Sequence, residues 1–144
     1  MLISGAWAVD DDGATRPYLR GEVRRADGTW QEIAFLIDSG ADQTVLTSQS
    51  FEGLGFTLPE TVGALLGLGG TGAAVALDTV IRFYREDGTA VAINGPFAAS
   101  VTPTALDTNV LGRDILSHFA VILDRPRGVI ALLHPPHRYT IHAG

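Results

Sequence analysis

The sequence predicts an all-β single domain with one short helix late in the chain. Three observations lead there. The 144-residue length fits one domain. A 46% apolar content supplies a single core. Short strand-like runs are punctuated by tight-turn signals, with 17 Gly and 7 Pro spread among them.

The elements follow in order. Tyr18 to Arg25 and Trp30 to Asp38 are strand-like runs around Asp27-Gly28, a strong hairpin signal. The second run ends in Ile33-Ala34-Phe35-Leu36-Ile37, apolar at every position, which predicts a strand buried on both faces. Thr44 to Thr47 is another short strand, and Ser48 to Leu54 is a short helix or a turn. Glu60 to Leu66 and Ala73 to Ile81 flank a glycine-rich tip, Gly67-Leu68-Gly69-Gly70-Thr71-Gly72. Val80 to Arg85 and Ala90 to Ile93 bracket a second Asp-Gly turn, and Phe97 to Val101 is a further strand. Arg113 to Phe119 is the best helix candidate, with Ile115, Leu116 and Phe119 on one face. Ala120 to Asp124 and Val129 to Leu133 form a third hairpin, and Tyr139 to His142 is a candidate tail strand. The core spans about 18–133, with an N-terminal extension over 1–17 and a tail over 134–144.

Composition removes several functions. The net charge of −6, with 16 acidic against 10 scattered basic residues, argues against nucleic-acid binding. Without cysteine there are no disulfides, no thiolate catalysis and no cysteine-ligated zinc. No run approaches the ~20 apolar residues of a bilayer span, and residues 1–12 do not read as a signal peptide. The expected location is therefore cytoplasmic. His134, His137 and His142 share a proline-interrupted tail, a poor frame for a metal; no metal or cofactor is expected.

Asp38 stands at the end of the most apolar strand, followed by Ser39, Gly40 and Ala41. Ser39 offers a hydroxyl, Gly40 a tight turn and Ala41 a small neighbour. Taken alone, Asp-Ser-Gly also suits a turn whose aspartate caps local N–H groups. The wider context is more specific. Leu36 to Leu46 (Leu-Ile-Asp-Ser-Gly-Ala-Asp-Gln-Thr-Val-Leu) resembles the catalytic motif of retropepsin-like, retroviral-type aspartic proteases. Val110 to Leu116 (Val-Leu-Gly-Arg-Asp-Ile-Leu) resembles that family's second signature, and the glycine-rich tip between them resembles its flap.

The resemblance covers roughly Tyr18 to Leu133 and implies a closed β-barrel that is half of an acid-protease active site. It implies Asp38 as the catalytic aspartate, Ser39 as the hydroxyl linking two active-site loops, and Gly40 as the glycine whose carbonyl lies along the substrate. Asp42 would bind substrate backbone and pair with Arg113, with Ala41 beside it. Leu68, Gly69 and Gly70 would close over the substrate. Thr44, Leu111, Gly112 and Arg113 would support the site, with Val110 packed under the catalytic loop and Gly112 permitting a close chain crossing. Asp114 departs from the family, where viral enzymes often have Asn.

The family's chemistry needs two carboxylates sharing one proton. Asp78-Thr79-Val80 and Asp107-Thr108-Asn109 both lack the glycine, so the chain supplies one such aspartate. The implied assembly is a homodimer acting on a peptide or protein substrate. The alternative is a non-catalytic dimeric domain of the same fold that binds peptides or serves assembly. The tip also matches the G-x-G-x-x-G dinucleotide pattern, but a strand and a second hairpin follow it where that motif requires a helix.

Overall fold

The computed structural model describes residues 2–58, 63–65 and 72–142. Its strands are β1 (Leu2–Ser4), β2 (Ala6–Val9), β3 (Thr15–Arg24), β4 (Trp30–Ile37), β5 (Val45–Leu46), β6 (Gly63–Leu65), β7 (Gly72–Leu77), β8 (Val80–Tyr84), β9 (Ala90–Asn94), β10 (Phe97–Ser100), β11 (Val110–Leu111), β12 (Ala120–Asp124) and β13 (Val129–Leu133). Two helices, α1 (Ser48–Leu54) and α2 (Arg113–Leu116), interrupt them. Among the described residues the large sheet runs β6-β7-β10-β5-β11-β4-β3-β8-β9, with β2 also paired to β3. A smaller sheet runs β1-β13-β12.

The turns follow from residue chemistry. In the β3–β4 hairpin Gly28 takes φ +87°, a region that side chains disfavour. Asp27 Oδ1 accepts from Thr29 N at 2.9 Å and Thr29 Oγ1 at 2.6 Å. The β8–β9 hairpin repeats this at Asp87, Gly88 and Thr89, with the same two bonds at 2.9 and 2.6 Å. In both turns the threonine bonds hold the aspartate's carboxyl below its ordinary range.

The core fills the concave side of the large sheet. Leu19, Phe35, Leu46, Ile81, Phe83, Leu111, Ile115 and Leu132 are fully buried. Phe35 and Phe83 meet edge to face, 6.2 Å between centroids.

Four features differ from the sequence expectation. Strand β4 alternates: Ile33, Phe35 and Ile37 are buried, Ala34 is exposed and Leu36 half-buried. The strand buries one face and leaves Ala34 on the other exposed, so an unbroken apolar run does not imply two buried faces here. Ser48–Leu54 is a helix and the longer of the two; Thr47 caps it by accepting from Ser50 N, and Gly55 ends it at φ +76°. The late helix stops at Leu116, because the residues up to Phe119 form a turn that leads directly into β12. Tyr139–His142 forms no strand, and its residues are exposed.

The residues ahead of Tyr18 are built into both sheets. Leu2 pairs with Leu133 and Ser4 with Ala131. Ala6 pairs with Tyr18 and Val9 with Thr15.

Candidate active site

The site is built where two distant segments cross. Strand β11 lies between β4 and β5, parallel to β4, with Val110 opposite Leu36 and Leu111 opposite Ile37. A parallel pair cannot be closed by a tight turn, and here about half of the chain, residues 38–109, lies in the connection. Asp38 follows directly. Its N–H donates to Leu111 O at 3.1 Å, extending the pairing by one residue.

The segment then turns sharply. Ala41 N donates to Asp38 O at 3.1 Å, and Gly40 N donates to Asp38 Oδ1 at 2.9 Å. Asp38 therefore does cap a local N–H; its Oδ2 accepts no hydrogen bond among the described residues. A Cβ on Gly40 would stand 3.2 Å from that Oδ1, a tight approach. Asp38 is half-buried, Ser39 exposed and Ala41 buried.

After the turn the backbone runs alongside 112–114. Arg113 N donates to Ala41 O at 2.8 Å and Asp114 N to Asp42 O at 3.3 Å. Gly112 lies against Gln43: a Cβ there would fall 2.4 Å from the Gln43 carbonyl carbon and oxygen. Its backbone is extended (φ −97°), so space rather than conformation demands glycine.

Arg113 reaches over the turn. Its Nη1 donates to Ser39 O at 2.8 Å, and its Nη2 donates to Asp42 Oδ1. The side chains are 49% and 83% exposed, so in the single chain this ion pair is worth only about 0–1 kcal/mol. Its clearer effect is to join the Ser39 carbonyl to the Asp42 side chain.

Two residues that the sequence reading gave no role belong to this crossing. The Asp114 carboxylate accepts from Thr44 N at 2.9 and 3.0 Å, from Thr44 Oγ1 at 2.7 Å and from Ile115 N at 2.9 Å. Asn109 accepts Leu36 N on its carbonyl at 2.8 Å and Thr47 N on its side chain at 2.9 Å. A polar residue on each flank of Val110-Leu111-Gly112-Arg113 was the available sequence signal. Thr44 itself is fully buried and accepts Gly112 N at 3.1 Å on its hydroxyl.

Leu68, Gly69 and Gly70 lie outside the described residues. The strands that flank them pair antiparallel, Gly63 with Ala74 and Leu65 with Gly72. Hence Asp38 to Thr44 and Leu111 to Arg113 come together in one constellation.

A second charged group lies on the neighbouring strand, where Tyr18 pairs with Leu36. Arg16 bonds Asp10 at 2.7 Å and Asp12 at 2.8 Å, and Tyr18 Oη donates to Asp10 at 2.6 Å. The Arg16 guanidinium, followed by the Ala14 N–H, brings the Asp12 carboxyl down to about 2. Tyr18 and Arg16 lower Asp10, while burial and then Asp10 push the Tyr18 hydroxyl up to about 12. At the far end of β4, Arg24, Arg25, Phe56, Asp78 and Asn94 help line an open cleft of about 390 Å³. Among the described residues no cluster of His, Asp or Glu suits a metal ion, and no helix is long and apolar enough to cross a membrane.

Known proteins share this fold. The family model described as retroviral aspartyl protease matches residues 14–124. A retropepsin-like aspartic protease from Rickettsia conorii is similar in structure, at 22% identity and a TM-score of 0.56. The match covers 92% of this chain and 88% of that one. EIAV protease, solved with the inhibitor HBY-793, matches at 23% identity and a TM-score of 0.47, covering 71% of this chain and 86% of that one. A search of curated proteins returned no match.

Proposed function

Since the chain belongs to the retroviral aspartyl protease family, we propose that it is an aspartic endopeptidase whose active site is shared by two copies. One observation carries the reading. Asp38 is held at the end of β4 by a strand crossing, and the chain has no second Asp-Ser/Thr-Gly to face it. A two-fold axis through that point supplies the second carboxylate. One Asp38 then takes a proton from water while the other donates to the scissile carbonyl, and the water oxygen bonds to the carbonyl carbon. The first carboxyl next passes its proton to the amide nitrogen, the second takes one back from a gem-diol hydroxyl, and the C–N bond breaks to release amine and acid.

The surrounding residues take roles consistent with that chemistry. Asp42, tethered by Arg113, accepts substrate backbone N–H groups, with Ala41 beside it. The Gly40 carbonyl runs along the peptide, and Ser39 bridges the two loops. Leu68, Gly69 and Gly70 close over the substrate. No cofactor is needed.

The test is hydrolysis of a mixed peptide library by the parent and by Asp38→Asn. The substitution keeps the side chain's shape and removes its acid–base function, so cleavage should vanish while the dimer persists. Cleavage that survives Asp38→Asn removes this residue from the mechanism. A proven dimer that cleaves nothing favours a peptide-binding or assembly domain.

A further inference from the structure

We propose that Asp114 is a positioning residue for the Asp38 turn, acting through Thr44; the inference rests on the peptidase reading above. The geometry is that of a clamp rather than a surface contact. Every hydrogen bond at the Asp114 side chain is one it accepts: Thr44 N–H on both oxygens, Thr44 O–H at 2.7 Å, and Ile115 N–H at 2.9 Å. While its O–H donates to Asp114, the Thr44 hydroxyl oxygen accepts Gly112 N–H at 3.1 Å. The relay therefore runs from Gly112 N–H through the Thr44 hydroxyl to the carboxylate. It fastens residue 44 to residues 112 and 114, 68 and 70 positions away.

That junction is where the Asp38 turn is fixed. Asp38 and Asp42 hang between Leu111 O, which receives Asp38 N–H, and Thr44, which Asp114 holds, with Ala41 O and Asp42 O receiving the N–H groups of Arg113 and Asp114 between them. Loosening Thr44 frees the exit of the 38–43 loop, leaving its start at Leu111 O, those two backbone bonds and the exposed Arg113 side chain to hold it. A shift of a fraction of an ångström at a reacting carboxylate is costly to rate but cheap to fold.

The acceptor-only demand explains why a carboxylate suits this position. Asparagine keeps one acceptor oxygen. Because Thr44 N–H lies 2.9 and 3.0 Å from the two oxygens, either orientation of the amide sets its NH₂ against that N–H. Asparagine is thus a partial substitute and alanine none.

The experiment compares Asp114→Asn, Asp114→Ala, Thr44→Ser and Thr44→Val with the parent. It reads peptide kcat and KM, and, separately, amide-exchange protection and chemical shifts of Asp38, Gly40 and Gly112. Circular dichroism identifies folded variants. Thr44→Ser should match the parent. Thr44→Val and Asp114→Ala should lose on the order of 10- to 100-fold in kcat with KM within about threefold. Asp114→Asn should fall between. In the same order, the Gly112 amide should lose protection and the Asp38 and Gly40 signals should shift. A folded Asp114→Ala with parental kcat and unchanged Asp38 signals overturns the proposal. So does an equal loss in Thr44→Ser and Thr44→Val. If the parent cleaves nothing, the peptidase reading falls, and the exchange and shift measurements alone decide the role of Asp114. An Asp114→Ala that does not fold passes the decision to the Thr44 pair.

Discussion

The hydrogen bonds around Gly112 leave no room for a side chain. Its position against Gln43, with a hypothetical Cβ 2.4 Å from carbonyl atoms, means that even a methyl group must push two backbone segments apart. Gly112→Ala should cost about 1–3 kcal/mol, the range for overpacking at a site that cannot relax. The loss should appear in urea melts as a lower midpoint with an unchanged slope. Arg113→Ala removes an exposed contact and should cost the fold much less. A variant ranking with Arg113 above Gly112 in stability cost would contradict this account of the crossing.

The β2–β3 hairpin is secured by Arg16 between Asp10 and Asp12. With the Asp12 carboxyl lowered to about 2, its contribution is fully present above the ordinary carboxylate value of about 3.9 and is lost as pH falls towards 2. The lowered Asp10 carboxyl acts with the same sign. Protection of the Asp10 amide, which donates to Ala14 O at 2.9 Å, should persist through mildly acidic pH. It should weaken only below about pH 4; Asp12→Asn should reduce that pH dependence to the share carried by Asp10. The β3–β4 and β8–β9 hairpins were legible because Asp-Gly-Thr encodes both the positive φ and the side-chain bonds that close the turn. Strands β1 and β2 were not, since three or four residues carry no clear period and Leu2 finds its partner at Leu133. Strand β4 misled for another reason: an apolar run reports what can be buried, whereas the curl of the sheet decides how much is. The candidate site divides in the same way. Asp38, Asp42, Gly112 and Arg113 carry a local motif, while Asp114 and Asn109 gain their roles only through contacts some 60 to 70 positions distant.

At the scale of the whole molecule, the shared-site reading makes each chain half of a site, and its charge works against completing it. Two copies each bearing −6 repel at long range. Activity per chain should therefore fall on dilution as dimers separate. Moderate salt, which shortens the reach of that repulsion to about 8–10 Å, should restore part of it. Sedimentation across a concentration series at two ionic strengths, run beside the peptide assay, measures both effects. Full activity in a strictly monomeric sample would defeat the shared-site reading.

The pairing of β11 with β4 also sets a timetable. During translation the Asp38 turn leaves the ribosome long before Leu111, whose carbonyl receives its N–H, and before Arg113, which reaches Ser39 across 74 positions. Contacts of such separation form late because their loop must be closed first. A nascent chain that has made Asp38 but not residues 110–114 has only the local turn bonds from Gly40 and Ala41 to hold that carboxylate. The order of synthesis thus leaves the carboxylate without its long-range anchors until most of the domain around it has been made.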